Sequence, residues 1–83
     1  MYYPPWGKEA QMRQTMEEAA ELIVALNKII RNTGRIEDLA EEIADVQLMC
    51  EEMIELFNIQ KEVKSWKKNK VERLQDRLRG ESL

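Results

Sequence analysis

Apolar residues recur along this chain at alternating intervals of four and three. Met12, Met16, Ala19, Ile23, Leu26 and Ile30 form one such series, and Leu39, Ile43, Val46, Cys50, Met53 and Phe57 form a second with the same rhythm. That period belongs to an α-helix with one apolar stripe, the kind that packs on another helix at a shallow angle. The pattern predicts a first helix over about Lys8 to Arg31 and a second from Ile36 or Glu37 to about Phe57. A third is predicted over about Lys61 to Leu78. Pro4, Pro5 and Gly7 mark residues 1–7 as an irregular lead-in, and residues 79–83 read as a frayed tail. Asn32-Thr33-Gly34 closes the first helix, with Gly34 suited to a left-handed cap. The expected fold is all-α, a single domain over residues 1–83: a helical hairpin followed by a third helix. The ordinary reading of both stripes is core, which makes Cys50 a small buried hydrophobe rather than a nucleophile.

A second, mixed seam runs beside each stripe. It reads Glu18, Leu22, Ala25 and Ile29 on the first helix, with Glu21 alongside. On the second it reads Glu42, Asp45, Met49 and Leu56, with Asp38 and Glu52 in register. Two seams per helix require partners on two sides, more than one short chain offers. The expectation is therefore a homo-oligomer, dimer or tetramer, built around a four-helix-bundle core.

Composition narrows the chemistry. The chain has 83 residues, 43% apolar and 35% charged, with a net charge of −3. A nucleic-acid polymer is an improbable partner for an acidic chain. One cysteine excludes an internal disulfide and fits a reducing compartment. No apolar run reaches the length of a membrane span, and the N-terminus lacks signal-peptide features, so a cytoplasmic location is expected.

Within the mixed seams lie Glu18-x-x-Glu21 and Glu42-x-x-Asp45. A spacing of three puts both carboxylates of each pair on one side of a helix. Four carboxylates converging without a counter-charge would repel or take up protons, and a hard divalent cation relieves that repulsion. The chain contains no histidine, so the donors are oxygen only. They suit Mg²⁺, with Mn²⁺ as a substitute.

Glu17-Glu18-Ala19-Ala20-Glu21-Leu22, followed after twenty residues by Glu42-Ile43-Ala44-Asp45-Val46, resembles the signature of MazG-type nucleotide pyrophosphohydrolases. Trp6 and Gln11 upstream and the basic run Lys67-Lys68-Asn69-Lys70-Val71-Glu72-Arg73-Leu74 downstream are similar to features of the short single-domain members. The resemblance implies an all-α fold whose protomers pair into a four-helix bundle. It implies Mg²⁺-dependent hydrolysis of a nucleoside triphosphate to monophosphate and pyrophosphate. On that basis Glu18, Glu21, Glu42 and Asp45 hold the metal, and Glu21 also orients or deprotonates the attacking water. Glu17 and Glu41 are read as ordinary surface residues.

Substrate contacts are expected from several other residues. Lys67, Lys70 and Arg73, spaced by three, suit triphosphate oxygens, and Asn69 is a candidate nucleotide contact. The competing reading of this basic run is a solvated face laced with ion pairs such as Arg73 with Asp76. Trp6 and Trp66 are candidates to stack a base, with Trp66 better placed to anchor the third helix. Gln11 and Gln14 fall near the Glu18 face, where they would contact base or sugar or simply be solvated. The alternative function is a non-catalytic helical interaction protein with its acidic seams salt-bridged to the third helix.

Overall fold

The computed structural model describes residues 7–80, which form three helices: α1 (Gly7–Ile30), α2 (Ile36–Leu56) and α3 (Gln60–Gly80). Residues 1–6, with Trp6, and residues 81–83 lie outside the described residues. The chain is all-helical there, and each helix boundary falls within two residues of its expected place.

The two turns use the same device. Asn32 and Asn58 take left-handed backbone angles, φ 61° and 55°, a conformation that asparagine tolerates better than most residues. At the first turn the amides of Thr33 and Gly34 donate to the Lys28 carbonyl at 2.9 and 3.1 Å. At the second, the Ile59 amide donates to the Ile54 carbonyl at 3.0 Å. Gly34 is therefore not the left-handed cap expected of it. Its glycine is required by close approach instead: a Cβ there would sit 2.9 Å from the Lys28 Cβ and 3.0 Å from the Ile29 amide nitrogen.

α1 and α2 form an antiparallel hairpin. Gln11, early in α1, donates to the Glu52 carboxylate, late in α2, at 2.5 Å. Lys8 lies over the Phe57 ring, 5.8 Å from its centre, and ties the open end of the hairpin. The helices close on the mixed seam. Thr15, Glu18, Ala19, Leu22, Ala25 and Ile29 of α1 are half-buried, as are Leu39, Glu42, Asp45, Val46, Met49 and Glu52 of α2. Gln11, 2% exposed, is the one fully buried residue among those described, against the expectation that it contacts base or sugar or is solvated.

The apolar stripe of α1 is not core in this chain. Met12, Met16, Ile23, Leu26 and Ile30 are all exposed, Ile30 at 77%. At about 100° per residue the stripe lies a quarter turn from the seam, so a helix facing α2 through the seam cannot also bury it there. Cys50 is exposed for the same reason, correcting its expected burial. Among the described residues no apolar side chain is fully buried.

α3 leans lightly on α2 and stands clear of α1. The radius of gyration is 16.4 Å, against about 12 Å for a compact chain of this length. Trp66 anchors nothing: it is 57% exposed and carries Lys70 over its ring at 5.7 Å. Asp76 pairs with Arg79 at 2.7 Å, not with Arg73 as expected. No helix of the described residues is long and apolar enough to cross a membrane.

Candidate metal centre

Antiparallel pairing brings the middle of α1 against the middle of α2, and with it the two acidic pairs. Glu18, Glu42 and Asp45 each place a carboxylate oxygen within 4.8 Å of the others. All three are half-buried between the helices. Glu18 Oε2 accepts a hydrogen bond from Gln14 Nε2 at 3.1 Å, one turn earlier, as the placement of Gln14 near the Glu18 face anticipates. The other oxygens are less well served. Glu18 Oε1 and Glu42 Oε1 are both shielded from water and have no hydrogen-bond partner.

A carboxylate oxygen that has lost water and gained no partner is unfavourable when charged. Glu42 bears the electrostatic consequence. Its pKa is pushed above the ordinary carboxylate value, first by loss of water and then by Glu21, Asp45, Glu18 and Glu41 in that order. Local negative charge with spare oxygen lone pairs is what a hard divalent cation satisfies, and among the described residues no histidine or thiol stands in the cluster. The three carboxylates thus fit Mg²⁺ on the chemistry of the donors and on their two orphaned oxygens.

Glu21 stands apart from this trio. It is exposed and lines a pocket of about 280 Å³ that opens beside Glu42. It lies close enough to raise the Glu42 pKa but is not among the three converging ligands. Glu41, expected to be plain surface, is exposed but lines the same pocket. Helical periodicity places this opening on the side of the hairpin away from the apolar stripe. Lys28, Arg35 and Asp38 also line it; the sequence reading put Asp38 on the α2 mixed seam and missed the two cations. Lys28 reaches the pocket because its helix ends two residues later, and Arg35 because it is the residue before α2. The signal for them was position, a cation at each side of a turn that folds back beside the acidic pairs.

The other expected contacts are scattered. Gln11 is taken up by Glu52 inside the hairpin. Lys67, Asn69, Lys70 and Arg73 are exposed on α3, and Lys67 lines a different cleft, between α2 and α3. Within one chain they do not join the carboxylates. Compared with protein families, curated proteins and solved structures, the chain matches none.

Proposed function

We propose that this chain is a Mg²⁺-dependent nucleotide pyrophosphohydrolase of MazG-like type that works as a homo-oligomer, cleaving a nucleoside triphosphate to monophosphate and pyrophosphate. The observation that supports it best is the pair of orphaned oxygens, Glu18 Oε1 and Glu42 Oε1, beside Asp45 between two helices. A hairpin held only by structural ion pairs would supply a cation to such oxygens. No Lys or Arg is within ion-pair distance of these three carboxylates among the described residues, which weighs against a salt-bridged interaction module.

Glu18, Glu42 and Asp45 hold the ion in this reading, with Mn²⁺ as a substitute. Mg²⁺ supplies charge neutralisation for phosphate oxygens and a lowered pKa for water. In this reading Glu21, exposed at the pocket beside the trio, accepts a proton from attacking water or completes the ligand set. Lys28 and Arg35 offer positive charge to a phosphate entering the same opening. Lys67, Lys70 and Arg73 can add to this only from another copy or by a movement of α3. Assembly is favoured by the exposed stripe: with no apolar side chain fully buried among the described residues, one copy has little to stabilise it alone.

A turnover assay with Mg²⁺ and a panel of ribo- and deoxyribonucleoside triphosphates tests the reading, with products resolved as monophosphate plus pyrophosphate. Pyrophosphate release that disappears in Glu42→Gln is the expected result. An inert but folded oligomer that also fails to bind Mg²⁺ would sink it.

A further inference from the structure

Two apolar surfaces stand uncovered in the single chain. One is the α1 stripe of Met12, Met16, Ile23, Leu26 and Ile30. The other is the cleft between α2 and α3, about 610 Å³, walled by Val46, Cys50, Met53, Ile54 and Val63 with Lys67 at its edge. We propose that the α2–α3 cleft of each copy receives the α1 stripe of a second copy, so that α3 is an arm clasping its partner. This rests on the homo-oligomer proposed above, but on neither its metal nor its chemistry.

Shape supports the pairing. A groove between two helices accepts a third helix, read by anchors spaced three and four apart, and the stripe presents that spacing over five turns. Charge selects the occupant. α2 carries eight acidic residues and no basic one. α3 carries eight basic residues against three acidic. At the cleft itself these reduce to one charge from each wall, Glu51 of α2 and Lys67 of α3, which offset each other and suit an apolar occupant. The α1 stripe, with no charged member, meets that condition. Symmetry completes the case. If each copy gives its stripe and receives the other's, the contact closes on itself as a two-fold dimer and leaves no free end to propagate. It also accounts for α3, whose Trp66, Val71, Leu74 and Leu78 are half or more exposed while the helix stands clear of its own α1.

Cys50, the chain's single cysteine, lies in this cleft and reports on it. In the assembled full-length protein we expect Cys50 to react with a thiol reagent at least about tenfold more slowly than in the unfolded chain, because reaction requires opening. Met16→Cys, Ile23→Cys and Ile30→Cys sample the stripe, and Glu17→Cys samples the other side of α1. Under mild oxidation at least one stripe variant should form a covalent dimer that is lost when Cys50→Ser is added, and Glu17→Cys should form none. An oligomer in which Cys50 reacts as fast as in the unfolded chain, with no Cys50-dependent cross-link, would overturn the arm while leaving the oligomer and its metal site standing. A monomer by light scattering, or α3 held by vesicles of anionic lipid in place of a second copy, would overturn it as well.

Discussion

The hairpin closes on its more polar side and leaves its more apolar side open. The seam between α1 and α2 holds Gln11, Thr15, Glu18, Glu42, Asp45 and Glu52 among its apolar members. The stripe a quarter turn away, Met12 to Ile30, has no charged member and is exposed except at Ala19. The contrast separates two tasks that a single core usually shares. The seam fixes carboxylates at set distances by packing them between rigid helices. In the proposed oligomer the stripe, at about 25 cal/mol for each Å² removed from water, would supply the driving force for association. A small helical chain can place charge inside itself if its apolar surface is spent on a neighbour.

Glu42→Gln attacks the polar side and carries the largest expected effect. Under the proposed metal site this removes a ligand and should weaken Mg²⁺ binding at least about a hundredfold, since disturbing even an outer partner costs 10–100-fold in known sites. Calorimetric titration with Mg²⁺ measures it. The same substitution should raise the melting temperature of the metal-free protein at neutral pH. A carboxylic acid whose folded pKa is raised binds its proton more tightly when folded. It therefore favours the fold below the unfolded pKa and progressively less as pH rises through the folded value. Metal-free wild type should accordingly lose stability as pH climbs through that window, and Mg²⁺ should restore it. Equal melting temperatures for the two metal-free proteins would break the assignment of Glu42 as the strained member.

Ile23→Asp attacks the apolar side. A charge placed at the centre of the stripe should raise the dissociation constant of the oligomer about a hundredfold, or ~2.8 kcal/mol, read by sedimentation over a dilution series. Unchanged assembly would show that the stripe is not the contact. Gln11→Ala tests whether the seam is held by polar pairing. It strips the Glu52 carboxylate of its donor at a buried position, and denaturant unfolding should report a loss of about 2 kcal/mol. The smallest effect belongs to the turn that aligns the two sides. A Cβ at Gly34 must push against Lys28 and Ile29, so Gly34→Ala should cost about 1 kcal/mol, the low end of the range for overpacking. A neutral result there would mean that the turn yields freely.

Helix placement was legible because the apolar period and the breaks at Asn32 and Asn58 are local signals, each decided within a few residues of chain. The acidic cluster was legible in part: the two pairs lie at matching distances from the turn, but of the four carboxylates expected to converge Glu21 stands apart from the other three. Lys28 and Arg35 were not legible, because their pocket exists only once the hairpin has folded back. The burial of Gln11 depends on Glu52, forty-one residues away in sequence. Trp66 was misplaced because its pattern describes an amphipathic helix without saying where that helix has something to pack on.

Sequence by itself determined the elements and the chemistry they carry: three helices, two oxygen-rich acidic pairs, an acidic α2 followed by a basic α3. These follow from residue type and periodicity, which act over one or two turns. Only tertiary structure decided which of two competent seams closes the hairpin. It also decided which carboxylates lose their water, and that α3 departs from the hairpin instead of covering it. The first two depend on how α1 and α2 meet across a five-residue turn, where a rotation of a quarter turn about either axis would have exchanged the buried side for the open one. The third depends on the three residues between α2 and α3.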